Sequence, residues 1–223
     1  MAIDLAFLKS IRYFETLSHD EIDSVKTLFF EKKAQRGEVI VIEGETADAL
    51  YFVNYGVVKT FRTSLDGREQ VLSIVRPGES FNDVAIFDNG NNLAGVRAMG
   101  PVVLYGILKT DLLNVLTKYP LIAIQGLNIL SAQLRYFVSL IDDLSFKPVV
   151  ARVAKILIEN AGNGSTPGQR ITQQEMAAIA GTVREVIGRS LKALERDGLI
   201  KFDRHQIVIK NKEALKNIAG ITI

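Results

Sequence analysis

Short runs of alternating hydrophobic and polar residues fill the first half of the chain, and glycines separate these runs. Such alternation is typical of β-strands, and short strands between glycine turns indicate a sandwich, a roll or a jelly-roll barrel. The predicted strands are Glu38–Glu43, Leu50–Asn54, Val57–Thr63, Gln70–Val75, Ala94–Met99 and Val102–Leu108. Two short helices, around Leu5–Tyr13 and His19–Phe29, are predicted to precede these strands.

A longer segment, from about Leu121 to Leu144, has the hydrophobic spacing of a helix. Six apolar residues follow one another at intervals of 3, 4, 3, 4 and 3, which is an a/d heptad seam. These residues are Leu127, Leu130, Leu134, Phe137, Ile141 and Leu144. The seam predicts a supercoiled helix pair and therefore a homodimer. Because the seam is short, a helix that lies on its own roll is the alternative.

Between Ile171 and Phe202 the pattern indicates two short helices joined by a sharp turn. Thr172 can cap the first helix, and Glu175 completes a capping box with it. Gly181 lies where a helix-turn-helix needs its turn. The second helix is predicted to run from about Val183 to Asp197.

This second helix is predicted to have two different faces. Its buried face should carry Val183, Ile187, Leu191 and Leu194. Its exposed face carries Arg184, Glu185 and Arg189 around Gly188, which has no side chain to hold the helix away from DNA. In a major groove, arginine donates to guanine O6 and N7, and glutamate accepts from cytosine N4. The exposed face therefore predicts base contacts, and a solvated surface helix is the alternative.

Two further features favour DNA binding. The segments Leu199–Phe202 and Gln206–Ile209 alternate like strands around Asp203-Arg204-His205, which predicts a hairpin wing. The formal net charge is −4 from Met1 to Phe146 but +6 from Lys147 to Ile223. A basic C-terminal third is the electrostatic pattern expected of a nucleic-acid-binding domain.

The composition argues against several kinds of catalytic and metal site. The chain has no cysteine, which excludes disulfides, zinc–thiolate sites and cysteine-ligated iron–sulfur clusters. Its two histidines, His19 and His205, lie far apart in sequence, and neither falls within the predicted strands of the roll. An enzyme on a cupin-like roll would need histidine ligands there. We therefore predict no catalytic residues, no metal ligands and no enzyme activity.

These patterns divide the chain into three parts. Residues 1–119 form the predicted sensing roll, residues 120–146 the long helix and hinge, and residues 147–223 the DNA-binding domain. Pro148 should separate the long helix from a helix at Val150–Ala161, which a turn-rich loop at residues 160–168 follows. Because no run of 18 apolar residues and no signal peptide is present, we expect a cytoplasmic protein without membrane contact.

The order of these parts, and above all the segment ITQQEMAAIAGTVREVIGRSLKALERDGLI, resemble the CRP/FNR family of bacterial transcription regulators. The resemblance covers nearly the whole chain. It implies an α+β fold with an N-terminal cyclic-nucleotide-binding-like β-roll (a jelly roll), a long dimerisation helix and a C-terminal winged helix-turn-helix. It also implies a homodimer that reads a two-fold-symmetric TGTGA-like site and contacts RNA polymerase.

The resemblance assigns roles to individual residues of the helix-turn-helix. Arg184 and Arg189 would read guanines, and Glu185 would read a cytosine. The positions that match phosphate contacts are Thr172, Gln173 and Thr182. Val183 stands where the family has a serine, so one phosphate contact is expected to be missing.

The predicted effector site departs from the family pattern. The segment GESFNDVAIFDNGNNLAGVRA begins like the family's phosphate-binding cassette, but Asn92 stands where an arginine pairs with the cyclic phosphate. Phe137 and Val138 replace the polar pair that contacts the adenine. These changes argue against cyclic AMP, because asparagine supplies neither a positive charge nor a guanidinium fork. The residues expected to line the remaining pocket are Gly78, Glu79, Phe81, Asn82, Asn92, Leu93, Ala94, Leu134, Phe137 and Val138.

Such a pocket suits an uncharged or aromatic effector, and haem stays open, with His19 and the methionines as available axial ligands. One alternative is a filled pocket and a regulator that needs no effector. Another is a ligand-binding scaffold whose winged helix contacts proteins, although such a wing has no need of the Arg184-Glu185-x-x-x-Arg189 pattern. The sequence leaves the target genes and the direction of regulation open.

Overall fold

The computed structural model describes residues 3–162, 171–203 and 206–221 of the 223-residue chain. Within these ranges the chain divides into two compact units. The first consists of Met1–Arg62 and Leu72–Tyr136, and the second of Thr63–Val71 and Phe137–Ile223. The predicted turn at Asp203-Arg204-His205 and the predicted loop at residues 160–168 lie partly outside the described residues.

Two sheets build the predicted β-roll, which is therefore confirmed. The first contains, in spatial order, β1 (Phe29–Ala34), β8 (Val102–Leu108), β3 (Ala49–Tyr55) and β6 (Ser80–Phe81). The second contains β2 (Val39–Val41), β7 (Gly95–Ala98), β4 (Val58–Thr63) and β5 (Glu69–Val75). Strand β8 pairs antiparallel with β1 and β3, and β7 pairs antiparallel with β2 and β4.

The N-terminal elements are α1 (Leu5–Ser10), a 3₁₀ turn (Arg12–Phe14) and α2 (His19–Lys26). The predicted helix that ends at Phe29 is wrong at its C-terminal end, because Phe29 begins β1. The Phe29 ring packs edge-on against Phe14, with ring centroids 5.6 Å apart, and both rings contact Phe52. Burying an aromatic side chain of this size stabilises a fold by roughly 2–3 kcal/mol, so this tertiary contact outweighs the local helical pattern.

Helix α3 (Asp83–Phe87) follows β6, and α4 (Lys109–Lys118) follows β8. Helix α5 (Pro120–Phe146) comes directly after α4. The long helix is confirmed, and it begins at Pro120, a residue whose fixed φ suits the first helical position. Of the helices that the structure describes, α5 alone is long and apolar enough to cross a membrane by length and composition. The search for an unbroken run of 18 apolar residues does not detect α5, because a few polar residues interrupt this mostly apolar helix.

The second unit contains three helices, a two-stranded hairpin and a final short helix in its described part. They are α6 (Val149–Gly162), α7 (Gln173–Ala180), α8 (Arg184–Arg196), β9 (Ile200–Asp203), β10 (Gln206–Ile209) and α9 (Lys212–Ala219). Their apolar sides share one core, which includes Val153, Met176, Ile187, Leu191, Leu194 and Leu215. This arrangement is the predicted winged helix-turn-helix, and α9 is an addition that the sequence patterns did not predict.

Candidate nucleic-acid interface

Two local features fix the turn of the helix-turn-helix. At the start of α7, the backbone N–H of Glu175 donates to Thr172 Oγ1 (3.1 Å), and the backbone N–H of Thr172 donates to Glu175 Oε2 (2.7 Å). This is the predicted capping box, which satisfies N–H groups at the helix start. At the end of α7, Gly181 has φ +63° and ψ +47°, a left-handed conformation that favours glycine.

Replacing Gly181 by alanine is expected to destabilise the second unit by about 1–2 kcal/mol, because L-residues are strained in the left-handed region. The new Cβ would also lie 2.7 Å from Leu144 Cδ2 and 2.9 Å from Gln70 Oε1. Gly198→Ala is the matched control, since Gly198 has φ +71° but open space around it. In urea unfolding, Gly181→Ala should lose more stability than Gly198→Ala. Equal losses would mean that these contacts add nothing to the backbone strain.

Helix α8 separates an apolar face from a charged face, as predicted. Ile187, Leu191 and Leu194 are fully buried in the core of the second unit. Arg184, Glu185 and Arg189 are exposed. A Cβ added at Gly188 would meet nothing closer than Gln173 Oε1 at 4.0 Å, so the surface between the charged side chains stays open. The three side chains that could read bases are therefore free to enter a groove.

Val183 does not join the buried face, and this part of the prediction is wrong. It is the N-cap of α8, with an extended backbone (φ −103°, ψ 155°), and its side chain is 47% exposed. Helical spacing does not apply to an N-cap, because that residue lies outside the helix. The valine side chain makes no capping hydrogen bond.

Replacing Val183 by serine is expected to stabilise α8 by about 0.5–1 kcal/mol, because a hydroxyl can accept a backbone N–H of the first turn. The same hydroxyl would supply the phosphate contact that the family resemblance implies is missing. Thermal unfolding and duplex titration should therefore both improve. Val183→Ala is the control, since it removes the valine without adding a hydroxyl. A serine variant no more stable than the alanine variant would contradict the capping argument.

The predicted phosphate contacts lie at the starts of the two helices. Thr172 is the exposed N-cap of α7, Gln173 is its half-buried first residue, and Thr182 is half-buried in the turn before α8. Helix N-termini favour anions through their N–H groups and dipole. Of these three residues, Gln173 is the one that the structure places beside α8, since its Oε1 lies 4.0 Å from the Cβ position of Gly188.

A concave surface beside the charged face of α8 encloses a volume of about 440 Å³. Its lining includes Gln173, Glu185, Gly188 and Arg189, together with Lys192, Glu195 and Phe202, which the sequence analysis missed. Helical spacing could have indicated Lys192, since it follows Arg189 by three residues. Strand alternation could have indicated Phe202, two residues after the buried Ile200.

Helix α5 exposes a long stripe of aliphatic side chains. Leu127, Leu134 and Ile141 of the predicted seam are 63%, 65% and 61% exposed, respectively. Neighbouring apolar residues, Ile124 and Val138, are exposed as well. Other predicted seam residues, Leu130, Phe137 and Leu144, are half-buried. A Cβ at Gly181 would touch Leu144, so this last seam residue lies beside the helix-turn-helix turn of its own chain.

A cluster of charges joins the end of α5 to α6. Asp143 is buried and forms ion pairs with Lys147 (2.8 Å) and Lys155. Arg152 Nη1 donates to the main-chain carbonyl oxygens of Asp143 (3.2 Å), Leu144 (3.3 Å) and Lys147 (2.7 Å). These carbonyls belong to the helix end, where intrahelical partners run out. The predicted hinge region is therefore held by side chains from α6.

Burial alone would raise the pKa of Asp143, but hydrogen bonds and charges from Lys147 and Lys155 outweigh it and lower that pKa below the usual range. A lowered pKa stabilises the fold above the unfolded value of about 4, and this stability is lost as the pH falls through the folded value. Asp143→Asn should cost about 2 kcal/mol at pH 7, the loss of charged hydrogen bonds. The difference from the parent protein should shrink toward pH 3 in urea unfolding. A difference independent of pH would contradict the ion-pair account.

The end of the predicted cassette is tied to the loop between β2 and β3. The backbone N–H of Gly44 donates to the carbonyl oxygen of Asn92 (2.9 Å). The backbone N–H of Asn92 donates to the carbonyl oxygen of Glu45 (2.8 Å). Asn92 is buried, and its Nδ2 donates to the carbonyl oxygen of Ile42 (3.0 Å). Within the described residues, Asn92 Oδ1 has no hydrogen-bond partner.

Arg62 places a positive charge beside the end of the cassette, and the sequence patterns did not predict it. Its Nη1 donates to the carbonyl oxygen of Leu93 (3.1 Å), and its Nη2 lies 2.8 Å from Glu43 Oε1. The Leu93 side chain is itself exposed, and Ala94 is half-buried. Because the Glu43 carboxylate pairs with Arg62, it balances the positive charge of the guanidinium.

The start of the cassette is used by the fold itself. Gly78 has φ +88°, and Glu79 Oε2 accepts the backbone N–H of Arg76 (2.7 Å), so both residues serve a turn. The Phe81 ring is buried and stacked on Tyr51, with centroids 5.2 Å apart. Glu79 and Phe81 of the predicted pocket are thus occupied by internal contacts.

Asn82 and Asp83 hold the cassette helix α3 in place. Asn82 adopts φ +77°, and its Nδ2 donates to the carbonyl oxygen of Ala49 (3.0 Å). Asp83 is buried and accepts hydrogen bonds from Tyr13 (2.6 Å) and Ser80 (2.8 Å) through Oδ1. Burial, followed by the Asp83 charge and hydrogen bond, raises the pKa of Tyr13 far above its usual range. Sequence spacing did not predict this buried carboxylate.

Two protein families match separate parts of the chain. The cyclic nucleotide-binding domain family matches residues 31–119, and the Crp-like helix-turn-helix domain family matches residues 151–218. A cyclic AMP receptor protein from Thermus thermophilus is 31% identical over 212 residues, covering 95% of this chain and 98% of the relative. The chain belongs to the CRP/FNR family.

Solved structures of CRP/FNR-type regulators have the same architecture. The catabolite activator protein of Thermus thermophilus is 31% identical and covers 95% of this chain and 100% of its own, with a TM-score of 0.55. FixK2 of Bradyrhizobium japonicum covers 87% of this chain and 99% of its own, with a TM-score of 0.76. At 22% identity, FixK2 supports the fold alone.

Membership of the CRP/FNR family establishes the general function. The protein is a DNA-binding transcription regulator, and the class is not one of enzymes. Its homologues are soluble DNA-binding regulators, which indicates a soluble protein despite the length and apolar character of α5. Among the described residues, no group of three or more His, Asp or Glu side chains is arranged to hold a metal ion.

Proposed function

We propose that this regulator is a homodimer that reads a two-fold-symmetric, TGTGA-like site and responds to a small effector other than cyclic AMP. The observation that carries the DNA part is the exposed set of Arg184, Glu185 and Arg189 on a helix whose opposite face is buried. Arginines suit the guanines of TGTGA, and the glutamate suits a cytosine of the complementary strand.

The aliphatic stripe of α5 supports the homodimer. A row that includes Leu127, Leu134 and Ile141 would leave a large apolar surface in water if the protein were a monomer. Pairing two copies of α5 would bury this row, and two recognition helices related by the resulting two-fold axis would read half-sites about one DNA turn (~34 Å) apart. A two-fold-symmetric site follows from such a dimer.

The polar contacts of the roll support an effector other than cyclic AMP. Asn92 is neutral and donates its amide N–H to Ile42, and the nearby Arg62 already pairs with Glu43. These residues do not fit a cyclic phosphate, which needs an uncompensated cation. The Thermus relative is named a cyclic AMP receptor, so the two proteins would differ in their effector. An uncharged or aromatic molecule suits the apolar residues better, and we expect no iron–sulfur cluster; haem remains an alternative effector.

The regulator would act in the cytoplasm and would contact RNA polymerase. The effector would shift the balance between two states of α5 and the hinge, which requires different affinities for those states. A regulator that needs no effector is the second candidate, because internal contacts occupy much of the predicted pocket, including Phe81 on Tyr51.

The test is a titration of a labelled duplex that carries two inverted TGTGA half-sites with centres about 10–11 base pairs apart. The proposal predicts binding about 10³-fold or more tighter than to a scrambled duplex. Cyclic AMP should leave this affinity unchanged, whereas small molecules extracted from cells should change it. Stimulation by cyclic AMP would overturn the effector proposal. Specific binding that no metabolite changes would favour the effector-independent regulator.

A further inference from the structure

The surface between α8 and the wing contains an apolar side chain that base reading does not explain. Ile200, the first residue of β9, is buried in the core of the second unit. Phe202 lies two residues later and therefore on the same side of the strand. Its side chain is 39% exposed and lines the concave surface beside α8. A large aromatic ring thus stands among charged and polar side chains.

The position of Phe202 is fixed by backbone contacts. Its N–H donates to Glu195 Oε1 of α8 (3.1 Å), which ties the wing to the C-terminal half of the recognition helix. Its register partner on β10 is Ile207, which packs against the domain core. The backbone of β9 therefore holds the Phe202 ring beside α8, and the ring leaves the concave surface open.

The concave surface stays open in front of this ring. Gly188 contributes no side chain, and a Cβ there would come no closer than 4.0 Å to Gln173. Lys192 lies on the same lining, three residues after Arg189. The Phe202 ring, Arg189 and Lys192 border this open space together with Glu185 and with Glu195, whose Oε1 accepts the Phe202 N–H. The two cations and the ring suit a group that is partly anionic and partly apolar.

The place of this space along α8 indicates which part of DNA would enter it. Recognition helices put their N-terminal residues against base edges. Arg184 and Glu185 belong to that end, whereas Lys192 and Glu195 belong to the C-terminal half, where the helix leaves the groove. The sugar–phosphate backbone borders the groove at this level. Lysine binds a phosphate as a compact charge, and a phenyl ring packs on the C–H groups of a deoxyribose.

We propose that Lys192 and Phe202 together bind one deoxyribose–phosphate unit, with Lys192 on the phosphate and Phe202 on the sugar. The inference rests on the proposed DNA-binding function and deepens it. Such a contact carries no sequence information. It adds affinity for every duplex and holds α8 at a fixed depth in the groove.

The test compares Lys192→Ala, Phe202→Ala and Phe202→Leu with the parent protein, on specific and random duplexes between 50 and 300 mM salt. Lys33→Ala is the charge control, since Lys33 lies in β1 of the roll and pairs with Glu31. Phe202→Leu keeps an apolar side chain, so it separates loss of contact from loss of folding. Thermal unfolding of each variant completes the comparison.

Lys192→Ala should reduce the slope of log affinity against log salt by about 1 for each bound subunit. Phe202→Ala should weaken binding about five-fold per subunit, the effect of losing roughly 40 Å² of apolar contact. This loss should be equal on both duplexes and at every salt concentration. Phe202→Leu should retain most of the affinity, and Lys33→Ala should match the parent protein.

Three results would overturn the inference. Phe202→Ala could bind within experimental error of the parent protein while Lys192→Ala keeps the full salt slope. The Phe202→Ala loss could instead disappear when thymines of the site are replaced by deoxyuridines, which would mean that the ring reads a thymine methyl group. If the parent protein shows no salt-dependent binding to any duplex, the proposed function fails and this inference fails with it.

Discussion

Replacing Leu134 by glutamate is expected to turn the proposed dimer into a monomer and to lower the affinity for a two-fold-symmetric site by about 10²–10⁴-fold, because two linked recognition helices bind with a high effective concentration. Leu134 is 65% exposed and lies in the middle of the aliphatic stripe of α5. Paired helices would bury two glutamates at this level, and burying an unpaired charge costs several kcal/mol.

Sedimentation equilibrium gives the mass of the Leu134→Glu variant, and duplex titration gives its affinity. Ser139→Glu is the matched control, since it adds the same charge to an exposed position of α5 outside the predicted seam. It should remain dimeric. A Leu134→Glu protein that stays dimeric and binds as the parent does would show that α5 is not the dimer interface.

Replacing Arg189 by alanine is expected to cost about 1–3 kcal/mol per half-site and to relax the preference at one base pair. Arg189 is exposed on α8, one residue after the open position at Gly188, and a guanidinium there can donate two hydrogen bonds to guanine O6 and N7. Alanine removes both donors, so every base at that position should bind almost equally.

Titration against duplexes that carry all four base pairs at each half-site position measures this preference. Arg196→Ala serves as the control, since Arg196 lies at the C-terminal end of the same helix beside Asp197. Its loss should be small and equal for all bases. If Arg189→Ala kept the full discrimination of the parent protein, the assignment of α8 as the reading helix would be wrong.

The helix-turn-helix could be predicted from the sequence because its signals are local. Thr172 and Glu175 are three residues apart, and the capping box they form needs no distant partner. Gly181 marks the turn through its own backbone conformation. Ile187, Leu191 and Leu194 reveal the buried face through spacing alone. Val183 was assigned to the wrong face because spacing does not tell an N-cap from the helix that follows it.

The roll was less predictable, since distant contacts decide its details. Phe29 joins a strand instead of a helix because it packs on Phe14 and Phe52. Strand β1, with the sequence FFEKKA, and the two-residue β6 carry too little alternation to be recognised. Arg62 reaches the cassette by contacting Leu93, 31 residues later in the chain, and no local pattern predicts such a contact. The effector pocket is therefore the part that the sequence describes least well.

We propose that this CRP/FNR-family protein reads DNA as a symmetric dimer. The most direct test is selection of binding sites by the purified protein from a pool of random duplexes, with and without small molecules extracted from cells. A symmetric dimer should enrich a two-fold-symmetric motif whose half-sites contain a TGTGA-like sequence and lie about one helical turn apart. A single unpaired half-site as the enriched motif, or no enrichment under either condition, would contradict it.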